Sequence, residues 1–111
     1  MDTKIELSEG NKGTLMVRNR YGVFGFVGDE IFTLVEANVT CRQLGFNTAL
    51  GFTKGSHFHT STTHHYTDEA MFGLQCRGDE EKLQDCSYSG NRYISTKGVS
   101  GKKVGVICSS K

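Results

Sequence analysis

The chain has 111 residues, a formal net charge of +1 and a moderate apolar content, which bounds it to one ordinary globular domain. No run of about 18 apolar residues exists, which excludes a transmembrane helix, and the near-neutral balance does not suit a dedicated nucleic-acid binder. The charge is uneven, however. Residues 1–87 carry 8 basic and 12 acidic side chains, whereas Arg92, Lys97, Lys102, Lys103 and Lys111 face no acid after Ser87. Such an end reads as a solvated edge or as a patch for an anionic partner.

In chain order, the opening MDTKIELSEG lacks the apolar core of a signal peptide. Residues 14–27 then read as two strands. Leu15 and Val17 alternate with Met16, Arg18 and Arg20, the run Val23–Val27 is β-rich, and Arg20-Tyr21-Gly22 suits a hairpin turn. One face would be apolar and the other would bear Arg18 and Arg20, as in a sheet packed on one side. The period then changes. Thr33 and Glu36 fit a capping box, in which hydroxyl and carboxylate each satisfy a free amide. Leu34, Ala37, Cys41 and Leu44 recur at helical spacing, and Gly45 is a natural stop, so a helix is predicted over 34–44 with Cys41 on its buried face. Residues 46–69 read as a long loop with at most a short strand. Order resumes at Met71, Leu74 and Cys76, a short helix is expected at 79–83 with acids at its positive end, and 104–108 is a buried terminal strand.

The four cysteines, Cys41, Cys76, Cys86 and Cys108, lack the close pairs of a zinc site, since the nearest two are ten residues apart. An even count in a small, Gly-rich chain favours two disulfides and an extracellular or secretory setting. Spacing alone leaves three connectivities open. The expected organisation is one domain over 1–111, with its core at about 10–109, excised from a larger extracellular protein, either secreted or the ectodomain of a membrane-anchored one.

Three segments together resemble a scavenger receptor cysteine-rich domain. They are Glu36-Ala37-Asn38-Val39-Thr40-Cys41-Arg42-Gln43-Leu44-Gly45-Phe46, the element from Cys76 through Gly78, Glu80 and Leu83 to Cys86, and Val104-Gly105-Val106-Ile107-Cys108. The resemblance implies an α+β fold, a curved antiparallel sheet cradling one helix. It also implies the pairing Cys41–Cys108 and Cys76–Cys86. The family usually has six or eight cysteines. Here Gly28 stands where one is expected, and its partner would fall near Ser100, so both members of one bridge are missing. The loops at Gly28 and at 95–101 are therefore expected to be looser than in relatives.

The same resemblance directs attention to candidate sites. Many members bind calcium through paired acids, matched here by Asp29 and Glu30, and a later acid. That acid falls at Lys102 or Lys103, where an ammonium repels a divalent cation and can pair with the carboxylates instead. No cofactor is therefore expected. Arg18, Arg20, Lys102 and Lys103 could form a polyanion-binding surface. Asn38-Val39-Thr40 is an N-glycosylation sequon on the flank of the helix stripe.

All four histidines, His57, His59, His64 and His65, fall within nine residues of the long loop. The family puts no metal there, and gathering ligands on a loop costs ordering entropy. His57, Phe58 and His59 read instead as a segment that selects a partner, with charge changing between about pH 5 and 7. No catalytic motif is present. The chain is expected to be a non-enzymatic extracellular recognition module of innate-immunity type, monomeric in isolation, binding a protein or polyanion. The alternative is a non-catalytic accessory domain of a secreted or membrane-anchored protease or matrix enzyme.

Overall fold

A computed structural model of the chain describes residues 4–55, 68–93 and 103–109. Among the described residues, seven strands form one sheet: β1 (Ile5–Leu7), β2 (Lys12–Arg18), β3 (Phe24–Val27), β4 (Ala49–Thr53), β5 (Asp68–Gln75), β6 (Ser87–Tyr93) and β7 (Gly105–Cys108). The spatial order is β4-β7-β2-β3-β5-β6, with β1 added to β2. The sheet is mixed rather than wholly antiparallel, because β3 and β5 run parallel. The helix and β4 lie between them in sequence and supply the long crossover that a parallel pair requires.

β2 is where the sheet divides. Its first half pairs with β7, its second half with β1 and β3. Between the two, Leu15 N–H donates to Val104 C=O and Val104 N–H donates to Val27 C=O, at 3.1 Å each. The chain at Lys103 and Val104 is thus wedged between β2 and β3, with Lys103 bridged to Gly28. Successive residues of an extended segment face opposite ways. Val104 enters the core and Lys103 faces the outer side. The hairpin turn from β2 to β3 is held by buried Asn19, whose Oδ1 accepts from Tyr21 and Val23 N–H and whose Nδ2 donates to Ala70 C=O.

The helix α1 runs Leu34–Gln43. Both halves of the capping box form: Glu36 Oε1 accepts from Thr33 N–H at 2.7 Å, and Thr33 Oγ1 accepts from Val35 N–H at 3.2 Å. It ends in a Schellman motif. Gly45, at φ +96°, donates to Arg42 C=O, and Phe46 N–H donates to Cys41 C=O. The buried face differs from the predicted stripe. Glu36, Ala37, Val39, Thr40 and Cys41 face inward, while Leu34 is exposed. The helix is rotated so that Glu36 Oε2 reaches Cys76 N–H at 2.8 Å, and that rotation turns Leu34 outward.

The core lies between α1 and the inner sheet face, around Leu15, Val17, Phe32, Met71, Leu74 and Val106. Cys41–Cys108 ties the helix to β7, and Cys76–Cys86 closes the segment between β5 and β6. That segment is not the short helix expected at 79–83. Only Leu83–Asp85 forms a single 3-10 turn. Glu80 folds its carboxylate back onto the Arg77 and Gly78 N–H groups instead. The segment is also strapped to the helix. Arg42 Nη2 donates to Gly78 and Glu80 C=O, and Gln43 Oε1 accepts from Leu83 N–H.

Gly28 is buried and its N–H donates to Met71 C=O at 2.9 Å. A bridge to Lys103 holds it on its other side. The loop at 95–101 lies outside the described residues.

Candidate functional site

The outer face of β1–β3 carries a second, smaller apolar cluster. Alternation along β2 turns Met16 and Arg18 away from the main core, and pairing sets Met16 beside Phe26 and Arg18 beside Phe24. Three cations stand over these rings. Lys4 Nζ is 5.0 Å and Arg18 Cζ 5.6 Å from the centroid of Phe24, and Lys103 Nζ is 5.0 Å from that of Phe26. Each cation is attracted to the negative face of its ring while its alkyl stem covers apolar surface. The arrangement holds three positive groups on one face of the sheet.

Arg20 has a different place. Its Nη2 donates to Gln84 C=O at 3.2 Å and Cys86 C=O at 3.0 Å, and its guanidinium lies 4.3 Å from the Tyr88 ring. Its own N–H donates to Tyr88 Oη. The side chain that sequence pairs with Arg18 as a ligand group therefore braces the segment ending at Cys86. Lys4 joins the basic face through β1, because Arg18 N–H donates to Lys4 C=O. No local pattern announces it, since a three-residue edge strand leaves too short an alternation to read.

Asp29 and Glu30 follow directly on Gly28, which the backbone bridges to Lys103. The acid pair and the position of the later acid thus do come together. Asp29 Oδ2 accepts from Gly55 N–H at 2.7 Å. A lysine offers no lone pair to a cation while charged, so this donor set does not fit the calcium site that the resemblance implies. Among the described residues, one group of three metal-ligand types has its donor atoms within 4.8 Å of one another: Cys76, Glu80 and Cys86. Both of its sulfurs are spent in a disulfide. Glu80 is buried, and the Arg77 N–H that it accepts, together with that of Gly78, holds its carboxyl below the usual glutamate range.

One acid went unanticipated. Glu69 is fully buried, and its Oε2 fills the space that a Cβ on Gly28 would take, with Glu30 Oε1 2.6 Å from the same point.

Asn38 of the sequon is half-buried, as expected for the flank of the buried face, on the side of α1 that carries the exposed Leu34, Val35 and Arg42. Its Oδ1 accepts from Thr48 Oγ1 at 2.7 Å and from Ala49 N–H at 2.8 Å. His57, Phe58, His59, His64, His65, Ser100 and Lys102 lie outside the described residues.

Comparison with known proteins agrees with this architecture. The family model described as "Scavenger receptor cysteine-rich domain" matches residues 6–109. Lysyl oxidase homolog 3 of Mus musculus is 34% identical over 89 residues, which cover 80% of this chain and 11% of that protein. Lysyl oxidase homolog 2 of Bos taurus is 35% identical over 104 residues, 91% of this chain and 13% of that one. Complement factor I of Mus musculus is 31% identical over 83 residues, 75% and 13%. The crystal structure of the third SRCR domain of murine neurotrypsin superimposes with a TM-score of 0.68 at 26% identity, covering 99% of both chains. The dimeric form of the SRCR domain of mouse MARCO gives 0.66 at 24% identity, over 89% of this chain and 87% of that one, a likeness of fold.

Proposed function

Because the chain belongs to the scavenger receptor cysteine-rich family, we propose that it is an extracellular recognition module whose outer sheet face holds a polyanionic partner. The observation that carries this reading is the trio Lys4, Arg18 and Lys103, set on one face by stacking on Phe24 and Phe26. Fixed cations bind a sulfated or phosphorylated chain through several weak contacts at once, and such binding falls steeply with salt. The acid pair at Asp29 and Glu30 adjoins the chain at Lys103, and so binding proceeds without calcium.

The test is heparin or dextran sulfate binding across an ionic-strength series. Binding that weakens with salt, is unmoved by calcium and is lost in Arg18→Ala/Lys103→Ala supports the reading. No binding at low salt sinks it.

A second reading rests on a separate observation. The chain spans about a tenth to a seventh of the length of the curated relatives it matches. Within a longer protein the same domain would act as a non-catalytic accessory module, positioning a neighbour. The sequence flanking it in the parent protein decides between the two. Similar repeated domains favour the receptor, and an adjoining oxidase or protease domain favours the accessory role.

A further inference from the structure

We infer that Asn38 carries an N-linked glycan, and that this glycan covers an apolar patch at the start of the helix. The inference rests on the extracellular reading above.

Two independent observations meet at this point of the surface. The first is chemical. Asn38-Val39-Thr40 is an acceptor sequence. The amide of Asn38 is fixed by its oxygen, which accepts from Thr48 Oγ1 and Ala49 N–H, while Nδ2 donates to no described residue. A glycan joined at Nδ2 leaves both of those bonds in place. The second is physical. Ile31, Leu34 and Val35 are three large apolar residues at 46%, 46% and 40% exposure, gathered around the helix start. Leu34 and Val35 lie four and three residues before Asn38, hence on its face of the helix and one turn back. Helical side chains lean toward the N-terminus, so a group extending from Asn38 passes over that turn. Exposed apolar clusters call for a cover, and a bulky, solubilising sugar adjoining them supplies one.

The order of events follows from Thr40. Its hydroxyl is fully buried and donates to Glu36 C=O at 2.9 Å, out of reach of a transferase in the folded domain. Attachment therefore precedes helix formation. Nδ2 attacks the anomeric carbon of an oligosaccharide carried on a lipid diphosphate. The N–C bond forms as the C–O bond to the diphosphate breaks, the amide loses a proton, and the lipid diphosphate leaves with the electron pair.

The experiment is secretion of the chain from a eukaryotic host behind a cleavable leader. Intact mass and free-thiol titration come first, then digestion of the folded protein with peptide N-glycosidase F. Expected is a glycan mass that the enzyme removes, absent in Asn38→Gln and Thr40→Val and retained in Thr40→Ser. Its removal should raise bis-ANS fluorescence, and Leu34→Ser/Val35→Ser should cancel that rise. A disulfide-bonded product without the glycan overturns the inference and leaves the extracellular reading standing. A glycan whose removal leaves dye binding unchanged also overturns it, since nothing is then covered. Secretion with four free thiols defeats the extracellular reading, and the inference with it.

Discussion

The buried carboxylate of Glu69 occupies the position that a Cβ on Gly28 would take. Glu69 lies on β5 and Gly28 directly follows β3, where Phe26 pairs with Glu69 and Gly28 N–H is bound to Met71 C=O. Gly28→Ala should therefore strain the site, because packed interiors resist an added methyl by about 1–3 kcal/mol. Most of that loss should vanish in a Glu69→Ala background, since mutations at touching residues are not additive. Urea unfolding of the four proteins in the cycle measures this. Strict additivity would mean that the two residues do not compete for space.

Acid should loosen the segment between Cys76 and Cys86. The Arg77 and Gly78 N–H groups hold Glu80 ionised to lower pH than an ordinary glutamate, whose value is 4.5. A folded-state pKa below the unfolded one contributes stability above the unfolded value and loses it as pH falls through the folded value. Glu80→Gln should therefore lower the thermal midpoint at neutral pH. The gap from the parent should close progressively below the ordinary glutamate value. A gap that stays constant down to strong acid would mean that the ionised carboxylate is not what the amides hold. Salt should matter little, because Arg77 is 78% exposed and only 4.0 Å from the carboxylate at its nearest.

The two disulfides should differ in worth. They close separations of 67 and 10 residues, and the chain-entropy model assigns them about 4 and about 3 kcal/mol. Cys41→Ala/Cys108→Ala should cost more than Cys76→Ala/Cys86→Ala in denaturant midpoint. The reverse order would mean that the shorter bridge carries more than loop closure.

Arg18 and Arg20 should separate binding from stability. Arg20→Ala removes two hydrogen bonds to carbonyls of Gln84 and Cys86 and a stacking contact on Tyr88. Loss of such charged hydrogen bonds costs about 1.5–3 kcal/mol, and thermal melts should register it. Its effect on the salt dependence of heparin binding should be smaller than that of Arg18→Ala or Lys103→Ala. Equal loss of affinity in all three would place Arg20 on the binding face after all.

The elements legible in the sequence were those with a repeating local signal. The capping box at Thr33 and Glu36, the stop at Gly45 and the alternation through Leu15 and Val17 each describe interactions within a few residues. These interactions survive unchanged in the fold. β1 and β6 escaped notice, because three residues of Ile-Glu-Leu and the polar run Ser87–Tyr93 bear no pattern that distinguishes strand from loop. They are strands because partners were waiting at β2 and β5. The short helix expected at 79–83 failed for a similar reason. Its acids suited a helix start, yet Glu80 found the amides of Arg77 and Gly78 closer at hand.

The candidate site divides in the same way. Arg18 and Lys103 were apparent as charged residues on or near strands. Nothing local separates Arg18 from Arg20, which share charge and alternation. Arg18 lies over Phe24 and donates to Gly22 C=O within its own hairpin, whereas Arg20 meets carbonyls 64 and 66 residues away. Asn38 could be recognised as an acceptor from three letters, and its half-buried place on the helix flank from the stripe beside it.

Acting alone, the sequence determined the cysteine count, the helix with its caps and the inner alternation of β2. Each is a matter of composition or of contacts within one or two turns of chain. Only the tertiary structure decided that Glu69 fills the place left at Gly28, that Lys4 joins the basic face and Arg20 leaves it, and that Leu34 and Val35 lie exposed beside Asn38. Those outcomes turn on strand pairing and helix rotation, where residues far apart in the chain compete for the same few ångströms.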